Sequence, residues 1–369
     1  MVKVAFAYCP DYDPAKVLNA VTRVIDLLGG MERFVKPGGK VVVKPNLLSL
    51  RAPEEGVNTH PAVIRAVARL AKDARGRVQI GDSPGGFADS DYIDRIYEIS
   101  QVARVAREEG VELVKFLTSR SVRGYPVSLH VLEADCVISV PKFKTHDLTV
   151  LTAGVKNLFG VVTGASKTEY HLRYPAPDDF ARVMADVYGV ARPALTVLDC
   201  VVAMEGSGPA TGELRKMNCI VASDDAVALD AVMATVIGLK PLDVETTKVA
   251  YQRGLGEADR KKIEIVGDDI GRFVAKDFKL PQTSFVKLLP KALARALTSL
   301  IRFIPRIDEK TCTRCRLCER TCPMRAIAIE DKRCVIDYAK CIRCFCCKEV
   351  CPAKAIALKK NIFTRVLWR

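Results

Sequence analysis

Two short runs near the end of the chain carry the clearest chemistry. "CTRCRLCERTCP" spaces cysteines as C-x2-C-x2-C-x3-C-P, and "CIRCFCCKEVCP" repeats that spacing with one cysteine to spare. Thiolates at this spacing wrap a tight loop around one compact iron–sulfur cubane, and the fourth cysteine of each run serves the other cluster. The expected sets are Cys312, Cys315, Cys318 and Cys351 for one [4Fe-4S] cluster, and Cys341, Cys344, Cys347 and Cys322 for a second. A structural zinc site takes four sulfurs from paired C-x2-C units. It explains neither the third cysteine of each run nor the trailing Pro323 and Pro352. Cys334 and Cys346 are left without a ligand position and are expected to pack.

The second cluster of chemistry is "VPKFKTHDLTVLTAGVKNLFG", Val140 to Gly160, where Lys142, Lys144, His146 and Lys156 crowd together. Like charges at this density repel unless an anion meets them. Lys142 and Lys144 share a side if the segment is extended, because side chains repeat every second residue there. Lys156 follows a glycine-opened helix start, whose free N–H groups attract anions. His146 exchanges a proton near neutral pH. The site reading takes His146, Lys156 and His60 as catalytic candidates. Lys44, Asn46, Asp82, Ser83, Lys142, Lys144 and Asn157 are the candidates for holding an anionic small molecule or cofactor. Asp82 is expected to offset part of the cation excess or to hold a metal. Lys36 and Lys72 read as solvated surface charges, and His130 and His171 show no pattern.

These residues need a frame. The chain has 369 residues, 49% of them apolar, enough for two domains. "KVAFAY", "GGKVVVKPNLL", "RVQIGD", "VELVKF", "DCVISV", "LTVLDC" and "KIEIVGD" read as strands. Amphipathic helices lie between them, one capped by Asp13, others expected to open at Thr59 and Ser223. Such alternation predicts an α/β domain with a mainly parallel sheet covered on both faces. Ligands of such sheets sit beyond the carboxyl ends of the strands. "KPN", "GDSPGG", "PKFKTH" and "DCVVAMEGSGPATG" all read as strand-end stretches. The expected organisation is an α/β domain over 1–282, a basic amphipathic linker over 283–306, a small α+β two-cluster domain over 307–360, and a basic tail over 361–369.

Charge is as uneven as cysteine. Residues 283–369 hold 20 Lys and Arg against 7 Asp and Glu, and the rest holds 37 against 36. The basic end points to an acidic redox partner protein. Nucleic acid is excluded, because the basic residues interleave with cluster ligands and no stacking aromatics accompany them. No apolar run reaches the ~18 residues of a membrane span. The N-terminus lacks the pattern of a signal peptide, so the expected location is the cytoplasm, without membrane association.

The cysteine module resembles the bacterial-type two-cluster ferredoxins at all eight ligand positions, which implies one-electron transfer. It departs from them in being basic. "KPNLL", "NTHPAVIRAV", "GDSPGG", "PKFKTH", "TAGVKNLFG", "LDCVVAMEGSGPATGE" and "SDDAVALDAV", spanning Lys44 to Val232, resemble the domain of unknown function 362 family. A fainter resemblance is to lactate-racemase-like proteins, which place a histidine before a cofactor-bearing lysine, as His146 stands before Lys156. His60 in "NTHP" is similar to their first histidine segment. "AGVKN" departs from their glycine-glycine-arginine-lysine turn, so this likeness implies shared fold rather than a nickel cofactor. Three functions are open on these grounds. One is an oxidoreductase delivering electrons to a bound anion. Another is a ferredoxin-like or maturation partner that docks a client enzyme. The last is a racemase-like enzyme with structural or sensing clusters.

Overall fold

The computed structural model describes residues 1–86, 89–164, 166–174, 176–281 and 303–360. The expected linker helix up to residue 302 and the tail from 361 lie outside the described residues.

Twelve strands precede residue 282 among these: β1 (Val2–Tyr8), β2 (Lys40–Pro45), β3 (Arg77–Asp82), β4 (Glu112–Lys115), β5 (Ser119–Val122), β6 (Tyr125–Ser128), β7 (Cys136–Val140), β8 (Lys142–His146), β9 (Val150–Thr152), β10 (Leu195–Glu205), β11 (Glu213–Ser223) and β12 (Ile263–Gly267). Ten form one sheet in the order β12-β1-β11-β10-β7-β2-β3-β4, with β8 pairing β10 and β9. The pairs β1–β12, β2–β3, β2–β7, β3–β4, β7–β10 and β8–β10 are parallel. The sheet is therefore mainly parallel, as expected. Alternate residues feed two cores. Val4, Phe6 and Val42 face one, and Ala5, Ala7, Val41 and Val43 face the other.

Several local expectations change. "PKFKTH" is not a loop but β8, buried at every position. It survives as a strand because each charged side chain finds an internal partner. "LTVLDC" continues without a break to Glu205, and β11 returns antiparallel beside it. The chain after Asp199 is thus strand rather than strand end. The helix Pro61–Asp73 is capped by His60, whose side chain accepts from the Ala62 N–H, not by Thr59. Asp225, not Ser223, caps Ala226–Val236, and the Ser223 hydroxyl accepts the Asp225 N–H instead.

The cysteine-rich end is a separate small unit. β13 (Phe303–Ile307) pairs antiparallel with β16 (Ile356–Lys360), and β14 (Ile327–Glu330) with β15 (Arg333–Ile336). Two short helices, Leu317–Thr321 and Cys346–Val350, complete it. Its first strand starts at Phe303, inside the segment expected as linker, because β16 needs a partner along its length. The unit docks beyond the carboxyl ends of β2, β3 and β8. Arg51 donates to the carbonyls of Cys351 (2.6 Å) and Pro352 (2.9 Å). Arg320 pairs with Asp89, and Lys354 with Glu55. Gly86, at φ +79°, lies against Thr321 and Val350, and a Cβ there would come within 2.7 Å of Thr321 Oγ1.

Candidate cluster cavities and a buried polar site

The small unit is an internal repeat with a 29-residue offset. Arg314, Arg316 and Arg325 adopt left-handed backbone at φ 56°, 62° and 48°, and Arg343, Phe345 and Lys354 match them at 60°, 64° and 54°. Left-handed non-glycine residues are uncommon, and a matched series marks a loop shape imposed twice. Each loop folds sulfurs inward. One cavity is lined by Cys312, Cys315, Cys318 and Cys351, with Cys334 beside them. The other is lined by Cys322, Cys341, Cys344 and Cys347, with Cys346. The distant cysteine of each run therefore turns into the other run's cavity. Backbone N–H groups of Ala326 and Ala355 donate to Cys322 and Cys351 Sγ, each at 3.3 Å. Among the described residues no three His, Cys, Asp or Glu side chains are set to hold a single ion. Four sulfurs turned into each cavity, three from one run and the distant one from the other, fit the ligand set of a cubane.

Against this unit lies a buried polar site. Its floor is the ion pair Lys44–Asp82 at 2.8 Å, with neither side chain more than 2% exposed. Lys44 also donates to the Pro45 carbonyl and to Asn157 Oδ1, and Asn157 donates to Ser139 Oγ. Asp82 accepts from the N–H groups of Leu47 and Ser83. Gly160 closes over the pair, where a Cβ would stand 2.4 Å from Asp82 Oδ1 and 2.6 Å from Lys44 Nζ. The Asp82 carboxylate is thus saturated by Lys44 and backbone rather than offered to a metal.

Above the floor stand Lys144, His146, Lys156 and His171. The His146 Nδ1 accepts the N–H groups of Leu148 (3.0 Å) and Thr149 (3.3 Å). Its proton therefore sits on Nε2, which faces Glu349 Oε1 at 3.4 Å. Burial and then the Lys156 charge push the His146 pKa down to about 3. Burial opposes ionisation of Glu349, yet His146 and Lys156 hold its carboxyl at about 2. The pair is neutral imidazole and carboxylate at pH 7. Lys144 donates to the Val57 carbonyl at 2.6 Å and forms no ion pair among the described residues; burial, with Lys156 next, drives its pKa well below the lysine range. Lys156 has no hydrogen bond or ion pair among the described residues, and burial lowers its pKa too. His171 Nδ1 is buried without a hydrogen-bond partner among the described residues, and burial pushes its pKa to about 4.

The single anion site expected from sequence divides in two. Lys142 pairs with Asp199 at 2.9 Å and donates to Tyr12 Oη, which itself donates to Asp199 at 2.7 Å. His60 stacks on Tyr12 at 3.6 Å, and its N–H binds Asp199. Lys142 and His60 thus belong to a second, internally neutralised constellation. Asn46 donates its N–H to Thr59, and its Oδ1 has no partner among the described residues. The helix start before Lys156 is no anion trap, because Asp230 already accepts the N–H groups of Gly154 and Val155.

Four further residues belong to the site. Glu349 and Lys348 come from the cysteine-rich unit. Lys348 Nζ binds Asp147 at 2.6 Å and Ser207 through both oxygens. Lys167 donates to Ser83 O and Oγ, each at 2.6 Å, which places Ser83 in its grip rather than at a ligand. His171 completes the set. "CCKEVCP" alone hinted at the first two, since a charged pair between ligand cysteines must point somewhere.

The fold and site define an α/β domain capped by a ferredoxin-type iron–sulfur module. Residues 41–235 match the family described as "Domain of unknown function (DUF362)", and residues 304–352 match the "4Fe-4S dicluster domain". The chain is 33% identical over 263 residues to a thylakoid-associated protein of Synechocystis sp., covering 69% of this chain and 81% of that one. It belongs to the DUF362 family. Its fold is partly similar to the lactate racemase apoprotein of Thermoanaerobacterium thermosaccharolyticum, at TM-score 0.41 and 13% identity. That match covers 62% of this chain and spans only 55% of the racemase. A Thermotoga maritima protein is similar at TM-score 0.39 and 13% identity, over 67% of this chain and 60% of that one. No helix among the described residues is long and apolar enough to cross a membrane.

Proposed function

We propose that this iron–sulfur protein exchanges electrons between its ferredoxin module and a carboxylate- or phosphate-bearing molecule held in the buried polar site. Cys312, Cys315, Cys318 and Cys351 would hold one [4Fe-4S] cluster, and Cys341, Cys344, Cys347 and Cys322 the other. When bound, these groups supply one-electron transfer. The observation that carries the reading is Glu349. It stands between Cys347 and Cys351 in sequence, and its carboxylate meets His146 in the α/β domain at 3.4 Å.

The residues of the chain have separable roles in this reading. Lys144 donates to the Val57 carbonyl, Lys156 forms no ion pair among the described residues, and burial disfavours the charged form of both, so an anion arriving beside them would restore their charge. A buried ammonium without a counter-ion is costly, and an incoming anion relieves that cost. Glu349 gives the site's preference in miniature, as a carboxylate drawn to the same cations. His146 keeps its proton on Nε2 and can donate a hydrogen bond from it to an oxygen of the bound molecule. Lys44, Asp82 and Asn157 fix the floor. Exposed Arg314, Arg316 and Arg343 at the cavity edges offer an acidic redox protein its docking face.

The test uses anaerobic full-length protein reduced with dithionite. Titration with oxalate or inorganic phosphate is expected to change the cluster EPR spectrum. Lys156→Ala is expected to weaken that response by roughly ten- to a hundredfold, the ~1.5–3 kcal/mol of a hydrogen bond to a charged group. A spectrum indifferent to both probes, from protein that yields no bound anion by mass spectrometry, overturns the reading.

A further inference from the structure

Each cluster cavity is lined by one more sulfur than a cubane needs. In the first cavity that sulfur belongs to Cys334. It lies 3.8 Å from Cys318 Sγ, close to van der Waals contact. Its position is fixed by the backbone. β14 and β15 are joined by a two-residue turn, Asp331 and Lys332, both left-handed at φ 45° and 63°. That turn type sets the hairpin register without slack. The register pairs Cys334 with Ile329 and turns it, like Ile336, to the interior. Cys334 is 5% exposed, and Cys318 is the one hydrogen-bond partner its sulfur has among the described residues.

We propose that Cys334 is a reserve ligand for the iron that Cys318 holds. The exchange is balanced and needs no oxidant. The Cys334 thiol gives up its proton as it binds iron, and the departing Cys318 thiolate takes one up. The sulfur position moves by no more than the 3.8 Å that separates the two atoms. Soft thiolate would replace soft thiolate, so the site would still offer sulfur donors alone. The first cluster thus has two stable ligand sets, and the second ligand stands inside the hydrophobic cluster that includes Ile327, Ile336 and Ile356.

The experiment compares iron and acid-labile sulfide in anaerobic full-length variants against wild type at about eight irons per chain. Cys318→Ala is expected to keep about eight irons, with an altered EPR spectrum for one cluster. Cys318→Ala combined with Cys334→Ser is expected to fall to about four or fewer. Cys334→Ser alone, as a control for folding, is expected to keep all eight, and Cys312→Ala is expected to lose a cluster because the sulfur contact of Cys334 is with Cys318. If Cys318→Ala falls to four irons as Cys312→Ala does, the inference is wrong. It is equally wrong if the double variant keeps eight. Neither outcome bears on the anion site, since the wild-type iron count and the oxalate response are read separately.

Discussion

Lys348→Met tests how firmly the two units are joined. In the native protein the Lys348 ammonium has three oxygen partners, Asp147 Oδ2 at 2.6 Å, Ser207 Oγ at 3.0 Å and Ser207 O at 3.1 Å. Its side chain is 2% exposed and that of Asp147 6%, so water cannot take over either role. Methionine fills most of the stem volume but leaves the Asp147 carboxylate buried without this cation. Removing one member of such a pair costs about 3–5 kcal/mol, whereas replacing both by apolar groups costs far less. Urea unfolding of anaerobic, iron-loaded protein, followed through the cluster absorbance, reads the difference. Lys348→Met is expected to lose about 3–5 kcal/mol, and Lys348→Met with Asp147→Leu to recover at least about 1 kcal/mol of it, the coupling that contacting pairs show. A loss below about 1 kcal/mol for the single variant refutes the reasoning. It would mean that the contact is wet or unformed, and that Glu349 next to it is not held in the α/β domain either.

Gly160→Ala should cost about 1–3 kcal/mol by overpacking, because its Cβ meets both members of the Lys44–Asp82 pair; an unchanged urea midpoint would show that the floor is loose. Burial pushes the pKa of His60, His146 and His171 to about 4, 3 and 4. These folded values lie below the unfolded value near 6.5, so unfolding takes up protons and stability falls as pH drops from about 6.5 toward 4. His146→Gln should make that acid limb shallower by up to one proton, about 1.4 kcal/mol per pH unit, and an unaltered slope would count against a neutral buried imidazole. Anaerobic protein should hold about eight irons and eight sulfides, and stoichiometric zinc without sulfide would contradict the cluster assignment. Cys346→Ser should leave the iron content unaltered; a loss of four irons would make Cys346 a ligand.

The parts legible in sequence were those with local signals. Alternating apolar strands and capped helices gave the parallel sheet, and cysteine spacing gave the module with its crossed arrangement. What stayed hidden depends on distant partners. Lys142 reads as a loop charge until Asp199, 57 positions on, is seen to neutralise it. The same holds for all of β8, whose two lysines and histidine argue locally against a buried strand. β11 was missed because "ELRKMNCIVAS" starts polar, and its apolar half pairs with β10 and β1 only after the chain has reversed. Glu349 could not be assigned to His146 by any rule of spacing, since 203 positions separate them. His171 was set aside for lack of pattern, though the pattern lay in three dimensions.

The placement of Glu349 would also bear on how the chain matures if both cavities take up clusters as proposed. Its two flanking cysteines, Cys347 and Cys351, turn into different cavities. With both clusters bound, the short helix that carries it would be anchored at each end. A chain loaded at one cavity alone would hold Glu349 and Lys348 from one side, so the two inorganic centres and the contact with His146 and Asp147 would mature as one event.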